Sequence, residues 1–485
     1  MEYTELKPKE VFDYFKEINN VPRPSKHEEK MIDYLQKFAE KNGLDCKTDE
    51  AGNVLISKPA TKGMEDKATL VLQSHMDMVC EKTTDCNIDF FNDPIQTYID
   101  GEWLKAKGTT LGADDGIGVA MAMAVLTSKE INHGPIECLF TRDEETGLTG
   151  AFAIQPGFMS GKYLINLDSE DEGEIFVGCA GGANTTATLK CGDFKETDSE
   201  TIALKIVIDN LRGGHSGDDI NKHRANANKL LARFLYIIRE KYGCCLIADI
   251  QGGNLHNAIP RHAEAVIAIP FKDRENARID FNLFASEIEG EYPDEASASF
   301  KMESVGENVK TMSQEMSDKI IYVLQAIDNG VYEMSLDMPG LVETSSNLAS
   351  VKLNDNELKI VTSQRSSILS QRKCMSNTIR AILKLSGFEV TTSDGYPGWK
   401  PNPNSEILKV AIESYKKLYN NTPKVKAIHA GLECGLFSEK YPGIDMISFG
   451  PTLRGVHSPD EALLIPTVEK VWAHMVDIIE NIPEK

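Results

Sequence analysis

LFTRDEETGLTG, residues 139–150, begins as the end of a buried strand and ends as a turn. Leu139 and Phe140 close an apolar run, and Asp143, Glu144 and Glu145 follow side by side. Two glycines and two threonines then carry the chain onward. Adjacent carboxylates repel one another, so their placement at the mouth of a strand needs a reason. Loops at the carboxyl ends of strands are where open α/β sheets keep their active sites. The neighbouring segments fit such a sheet. PIECLFTR, NVLISK, TLVLQSH and KYLINLD read as strands, and DDGIGVAMAMAVLTS as a buried helix. Residues 8–19 and 27–42 have helical spacing, the second run stopping at Gly43. The pattern predicts an α/β domain with a mixed, mostly parallel sheet flanked by helices.

Near residue 184 the pattern changes. TIALKIVID predicts a strand, HRANANKLLARFLYIIREKY a helix, and CLIADIQGG with HAEAVIAIPF a strand pair. A helix at DFNLFASEIEGE follows, then a strand at ASASFKMES and a helix at SDKIIYVLQAI. NLASVKLNDNELKIVTSQR predicts a hairpin and SNTIRAILKLSG another helix. A β-α-β-β-α order occurs twice, which predicts an α+β region of two ferredoxin-like halves. One continuous α+β domain is the alternative. Near residue 396 the α/β pattern resumes, after the Pro/Asn-rich YPGWKPNPNS. The expected organisation is residues 1–184 with 396–485 as one domain, and 185–395 as a second domain inserted into it.

Composition narrows the function classes. With 52 basic and 74 acidic residues the net charge is −22, which argues against binding a nucleic-acid backbone. No apolar stretch approaches the roughly 20 residues of a membrane span, and the N-terminal MEYTELKPKEVFDYFKEI lacks a signal-peptide apolar core. Ten cysteines in 485 residues are too sparse for a disulfide framework. A cytoplasmic location with reduced thiols is expected.

Five stretches place His, Asp or Glu just after apolar runs: SHMD (74–77), GADDG (112–116), RDEETG (142–147), NLDSED (166–171) and GVHSPDE (455–461). In SHMD, His75 and Asp77 share a face of the strand, and a carboxylate beside an imidazole fixes its tautomer and raises its basicity as a ligand. A surface His–Asp pair is the plainer reading. In GADDG one carboxylate can bridge metals, or an Asp can simply cap the following helix. In RDEETG one glutamate can bind metal while its neighbour serves as general base, its pKa raised by nearby carboxylates. A solvated acidic loop is the alternative. Asp168 follows its strand directly and is the ligand candidate of NLDSED. His457 reaches the same site only if residues 396–485 rejoin the first domain; otherwise it is a lone loop histidine. Two histidines and three carboxylates together suit a pair of divalent cations, zinc by preference, with manganese or cobalt able to use the same N/O donors.

With these stretches in this order, the sequence resembles the co-catalytic zinc peptidases related to carboxypeptidase G and aminoacylase, and among them the Xaa-His (aminoacyl-histidine) dipeptidase branch. QSHMDMVCEK, GTTLGADDGIGVA, FTRDEETGLTGA, LINLDSEDEGEIFVGCAGG, LRGGHSGDDI, HAGLECGLF and GVHSPDE carry the resemblance across essentially the whole chain. It implies a metal-dependent dipeptidase, with Xaa-His dipeptides including beta-alanyl-His as preferred substrates. An N-acyl amino acid amidohydrolase and a non-catalytic scaffold are the alternatives. It further implies that His75 and Asp168 hold one zinc, Glu145 and His457 the other, and that Asp114 bridges them. Asp77 would orient His75, Glu144 would be the general base, and a cis peptide would follow Asp114. The resemblance also makes residues 1–184 with 396–485 a catalytic domain and 185–395 its inserted lid domain. In the lid, the resemblance makes His215 a stabiliser of the developing oxyanion, and Asn257 or Arg365 the holder of a substrate carboxylate. His429 and Glu433 are suited to shaping the pocket, although a satisfied structural histidine is an equal reading of His429. No nucleic-acid or membrane partner is expected, and a homodimer is compatible with the fold.

Overall fold

The computed structural model describes residues 3–198, 200–306 and 309–485. The chain divides into two compact units. One ends at Gly178 and takes up again over Trp399–Ala427 and Leu432–Lys485; the other comprises Cys179–Gly398 and Ile428–Gly431. The division at Gly178 precedes the expected residue 184, and the one at Gly398 follows residue 395. Hydrogen bonding explains both shifts. The Ala180 N–H donates to the carbonyls of Ile428 and Ala430, and Gly182 exchanges backbone bonds with Tyr396.

In the first unit the strands β1 (Val54–Lys58), β2 (Leu70–His75), β3 (Ile136–Thr141) and β4 (Tyr163–Asn166) lie in the order β1-β3-β2-β4. The strand Asp445–Ser448 continues the sheet beyond β4. β3, β2, β4 and Asp445–Ser448 pair in parallel, while β1 joins antiparallel, so the parallel part is the centre of a mixed sheet. Every residue of β2, β3 and β4 is buried, which is why these segments read as continuous apolar runs rather than alternating ones. The helix α1 (Ala113–Thr127) is apolar all round; it packs against β2 and the helix Lys9–Ile18. Glu406–Tyr419 packs against Asp445–Ser448 and the closing helix Ile465–Glu480.

Parallel pairing aligns the strand ends. His75 lies opposite Thr141, and Gln73 opposite Asn166, so SHMD, RDEETG and NLDSED leave the sheet on one edge. A small sheet that the sequence pattern did not reveal positions the last stretch. Leu453–Arg454 and Ala462–Leu464 pair with each other and join Trp103–Ala106 and Thr97–Asp100, closing the GVHSPDE loop between them. Strands of two to four residues carry too little periodicity to be read.

The second unit is built on one antiparallel sheet. Its strands are β5 (Gly181–Lys190), β6 (Thr201–Asp209), β7 (Leu246–Gly252), β8 (Ala263–Pro270), β9 (Ser299–Gly306), β10 (Val342–Asn354), β11 (Glu357–Ser366) and β12 (Glu389–Thr392). The order is β9-β6-β8-β7-β10-β11-β5-β12, with Gly330–Met334 paired to β10. The helices are α2 (Ala227–Tyr242), α3 (Arg274–Glu291), α4 (Gln314–Ala326) and α5 (Leu369–Leu385). β6-α2-β7-β8-α3-β9 is one ferredoxin-like half, and β5-α4-β10-β11-α5-β12 is the other. They join edge to edge where β7 meets β10. Their helices share one apolar core that includes Phe234, Phe281, Phe284, Ile320, Ile379 and Leu383.

Two corrections to the sequence reading follow. ASASFKMES is the last strand of the first half, not the opening strand of the second. That role belongs to β5, which the sequence places ahead of the entire first half. GGANTTATLK escapes a strand reading because its alternating buried positions hold only Ala183, Thr185 and Ala187, too small and polar to give an apolar alternation.

Candidate metal centre

His75 ends β2 with its side chain fully buried. Its Nε2 lies 3.1 Å from Asp114 Oδ1 and 3.5 Å from Asp168 Oδ1. On the other side of Asp114, His457 Nε2 lies 3.1 Å from Oδ2 and 2.9 Å from Glu145 Oε2. Asp114 thus divides its two oxygens between two histidine-headed groups. The five residues named as ligands from sequence are brought together in this way, although the chain separates Asp114 from His457 by most of its length. The Asp114–Asp115 peptide is cis.

The surrounding side chains fix this arrangement. Asp77 Oδ1 lies 3.3 Å from His75 Nδ1. The same carboxylate accepts the Ser25 hydroxyl at 2.8 Å and the backbone N–H groups of Glu144 and Glu145 at 3.1 and 3.3 Å. Asp77 therefore holds both the imidazole and the acidic turn. Asp143, in left-handed backbone at φ 52°, accepts the hydroxyls of Thr146 and Thr149 and closes that turn. It is a structural acid, and Glu144 and Glu145 are left to face the centre.

Three residues hold the centre from behind: Glu461 and Arg23, to which sequence reasoning gave no role, and Glu433, expected to shape the pocket. Glu461 is buried, and its carboxylate accepts the N–H groups of Leu111, Gly112, Ala113 and Asp114 at 2.7, 3.0, 2.8 and 3.2 Å. It caps the segment that carries the bridging aspartate. Arg23 is fully buried and donates to the Gly112 carbonyl at 2.8 Å. A Cβ at Gly112 or Gly116 would come within 2.7 or 2.6 Å of Arg23 Nη2, so the glycines of GADDG make room for a guanidinium. Glu433 accepts Gln73 Nε2 at 2.6 Å and the Thr141 hydroxyl at 2.8 Å. Its other oxygen, Oε1, is buried without a hydrogen-bond partner. Burial pushes its carboxyl up to about 7.

The electrostatics are those of a negative cluster kept from water. Glu144 is half-buried, and its carboxyl is held well above the usual range, first by desolvation and then by Asp168, Glu433 and Glu145. Asp168 is raised for the same reasons, desolvation and then Asp114. Hydrogen bonds to Asp114 and Glu145 push the His457 imidazole up to about 11. Such a set calls for positive charge at its centre. The donors fit divalent cations. Two ligands of one tetrahedral zinc are about 3.3–3.5 Å apart, and the N···O separations here, 3.1, 3.5, 3.1 and 2.9 Å, lie at or a few tenths of an ångström below that. Glu145 Oε1 is buried without a partner. His75, Asp114 and Glu145 also offer ligand atoms within 4.8 Å of one another.

The second unit contains a different cluster. Arg365 lies near the end of β11 and is only 6 % exposed. Its Nη1 donates to the Tyr396 hydroxyl at 2.8 Å, and its Nη2 lies 3.4 Å from His215 Nε2. The Asp218 N–H donates to His215 Nδ1 at 3.2 Å, and the Asp218 carboxylate lies 3.4 Å from the same nitrogen. His429 is buried, with Nε2 2.7 Å from the Ser345 hydroxyl. Burial, then the charge of Arg365, pushes its imidazole down to about 3. Asn257 is exposed and joins this region through its backbone, its carbonyl accepting the Ser216 N–H at 2.8 Å. Asn257 lies in the loop joining β7 and β8, whereas Arg365 stands on a strand, away from the Asn354–Glu357 turn of its own hairpin.

Residues 71–481 match the family model described as Peptidase family M20/M25/M40. A cytosol non-specific dipeptidase of Escherichia coli is 42% identical over 485 residues, covering 100% of both chains. The crystal structure of an aminoacylhistidine dipeptidase from Vibrio alginolyticus superposes with a TM-score of 0.94 at 43% identity, over 100% of this chain and 99% of that one. An aminopeptidase from Bacillus cereus, at 19% identity and a TM-score of 0.57 over 98% and 99% of the two chains, shares the fold. The likeness therefore runs through both units, and the chain belongs to peptidase family M20/M25/M40.

Proposed function

We propose that the protein is a two-metal dipeptidase that hydrolyses short peptides with a free carboxyl terminus, Xaa-His dipeptides among them. The observation that carries this reading is Asp114, whose two carboxylate oxygens each face a different histidine. His75 and Asp168 would hold one cation, His457 and Glu145 the other, with Asp114 shared and Asp77 orienting His75. Zinc is the proposed metal. When bound, the cations supply a water of lowered pKa and polarise the scissile carbonyl.

The chain's own residues do the rest. Glu144 is fixed through its N–H on Asp77, and its neighbour Glu145 turns the other way, toward His457. Its carboxylate would take the proton of the attacking water and pass it to the leaving amine. His215 Nε2 would donate to the oxygen that becomes negative in the tetrahedral state. Arg365 is a buried guanidinium with no carboxylate within ion-pair distance among the described residues. An uncompensated buried charge is costly, and a substrate carboxylate would relieve it bidentately. Asn257 would contribute at the rim. The names of the Escherichia coli and Vibrio alginolyticus relatives support the dipeptide and histidine assignments, and the former supports a cytosolic location. No helix among the described residues is long and apolar enough to cross a membrane.

The test is a substrate panel on chelated protein reloaded with zinc, manganese or cobalt. Xaa-His dipeptides, beta-alanyl-histidine, other dipeptides and N-acyl amino acids are compared by kcat/KM. Metal-dependent turnover of dipeptides is expected. Turnover of acyl amino acids alone would replace this reading with the amidohydrolase one.

A further inference from the structure

Arg365 owes its orientation to a residue outside the substrate-binding set, Tyr396. The Tyr396 backbone is tied to Gly182 by paired hydrogen bonds of 2.9 and 3.1 Å. Arg372 donates to the carbonyls of both residues. The ring has almost no freedom. A Cβ at Gly182 would stand 2.6 Å from the Tyr396 hydroxyl oxygen, and one at Gly431 would stand 2.6 Å from ring carbon Cε2. Two glycines, one in GGAN and one in HAGLEC, thus form a slot that only a flat ring fills. The hydroxyl emerges from the slot 2.8 Å from Arg365 Nη1.

The chemistry of that contact matters. A carboxylate beside Arg365 would orient the guanidinium and also cancel its charge. A neutral phenol accepts one N–H and leaves the charge in place. Burial holds the Tyr396 hydroxyl above its ordinary pKa, so it stays neutral. Arg365 Nε has no hydrogen-bond partner, and Nη2 lies 3.4 Å from His215 Nε2. An arginine side chain loses rotamer freedom when it is held, and a fixed acceptor on one nitrogen takes up part of that loss before any ligand arrives.

We propose that Tyr396 is a positioning residue that aims the Arg365 guanidinium at a substrate carboxylate, and that Gly182 and Gly431 exist to seat its ring. The inference rests on the carboxylate-binding reading of Arg365 given above. It is tested on the full-length, metal-loaded protein with an Xaa-His dipeptide and its C-terminal amide, used as substrates and as competing ligands. Arg365→Ala should weaken the acid strongly and the amide little. Tyr396→Phe should raise KM for the acid about tenfold, the worth of a hydrogen bond to a charged group, with kcat and the amide little changed. Gly431→Ala, which displaces the ring but keeps the hydroxyl, should show the same selectivity and stands in if the phenylalanine variant folds poorly. An unchanged acid KM in Tyr396→Phe, with Arg365→Ala still acid-selective, overturns the role of Tyr396 alone. Equal loss for acid and amide in Tyr396→Phe reduces it to a structural residue and also overturns the inference. Equal loss for both ligands in Arg365→Ala overturns the carboxylate reading itself.

Discussion

Around Asp114 the first unit gathers carboxylates against two imidazoles, while around Arg365 the second unit gathers a guanidinium, imidazoles and a phenol. Both clusters are largely buried, His457 and His215 being their more exposed members, and each is out of balance in charge, in opposite senses. A protein interior tolerates such an imbalance only where something of the other sign completes it. The first cluster is matched to cations and the second to an anion, so each reports the sign of its own ligand. They also differ in construction. The first is assembled at the ends of parallel strands and capped by backbone N–H groups on Glu461 and Asp77. The second hangs on one neutral acceptor.

The sharpest way to break this contrast is Asp114→Asn. One carboxylate serves both histidines, so the variant should lose both metal equivalents and all turnover, read by elemental analysis after gel filtration. Retention of one full equivalent would deny the shared role. Glu144→Gln is expected to lower kcat by about 10²–10⁴ while metal content stays normal. Metal loss with turnover preserved would exchange the roles of Glu144 and Glu145. Next comes Glu461→Gln, which sets an amide NH₂ among four backbone donors. Metal affinity should fall about 10–100-fold, measured by competition with a chelator, with a lower melting temperature of the apo protein. Unaltered affinity would show that the cap is dispensable to the centre.

The last test belongs to the second cluster. His429 is held at about 3 in the fold, against an ordinary value of 6.5. Between those values the unfolded chain binds the extra proton. Stability should therefore fall as pH drops from about 6.5 toward 3, by at most about 1.4 kcal/mol per pH unit. Chemical denaturation of His429→Gln across that window should show a shallower slope; an identical slope would mean the imidazole is not kept neutral.

The sequence disclosed the first cluster far better than the second. SHMD, RDEETG and NLDSED follow apolar runs, which marks them as strand-end loops, and it was the resemblance that joined them into one site. Glu461, Arg23 and Tyr396 were illegible for a common physical reason. Their partners are largely backbone groups: the N–H of Gly112 for Glu461, the carbonyl of that residue for Arg23, and Gly182 for Tyr396. A backbone partner has no residue type and leaves no mark in the sequence. The glycines did leave one, but a Gly is read as a turn before it is read as room for a neighbour's side chain. β5 was missed for want of apolar alternation, and with it the true pairing of the two ferredoxin-like halves.

That pairing sets an order on folding. The chain is nested like brackets: the first unit opens, β5 opens the second half, the first half runs through uninterrupted, and then the outer levels close in turn. Only the innermost block, β6 to β9, is contiguous in sequence. β5 must wait for β11, where Lys190 meets Glu357, and the first unit must wait longer still, until Asp445–Ser448 comes to lie beside β4. Each closure spans a longer loop, but the entropic cost grows only as the logarithm of loop length, and an already folded inner block shortens the loop in effect. During synthesis the block from β6 to β9 can therefore mature before the centre around Asp114, which needs His457 from beyond that block.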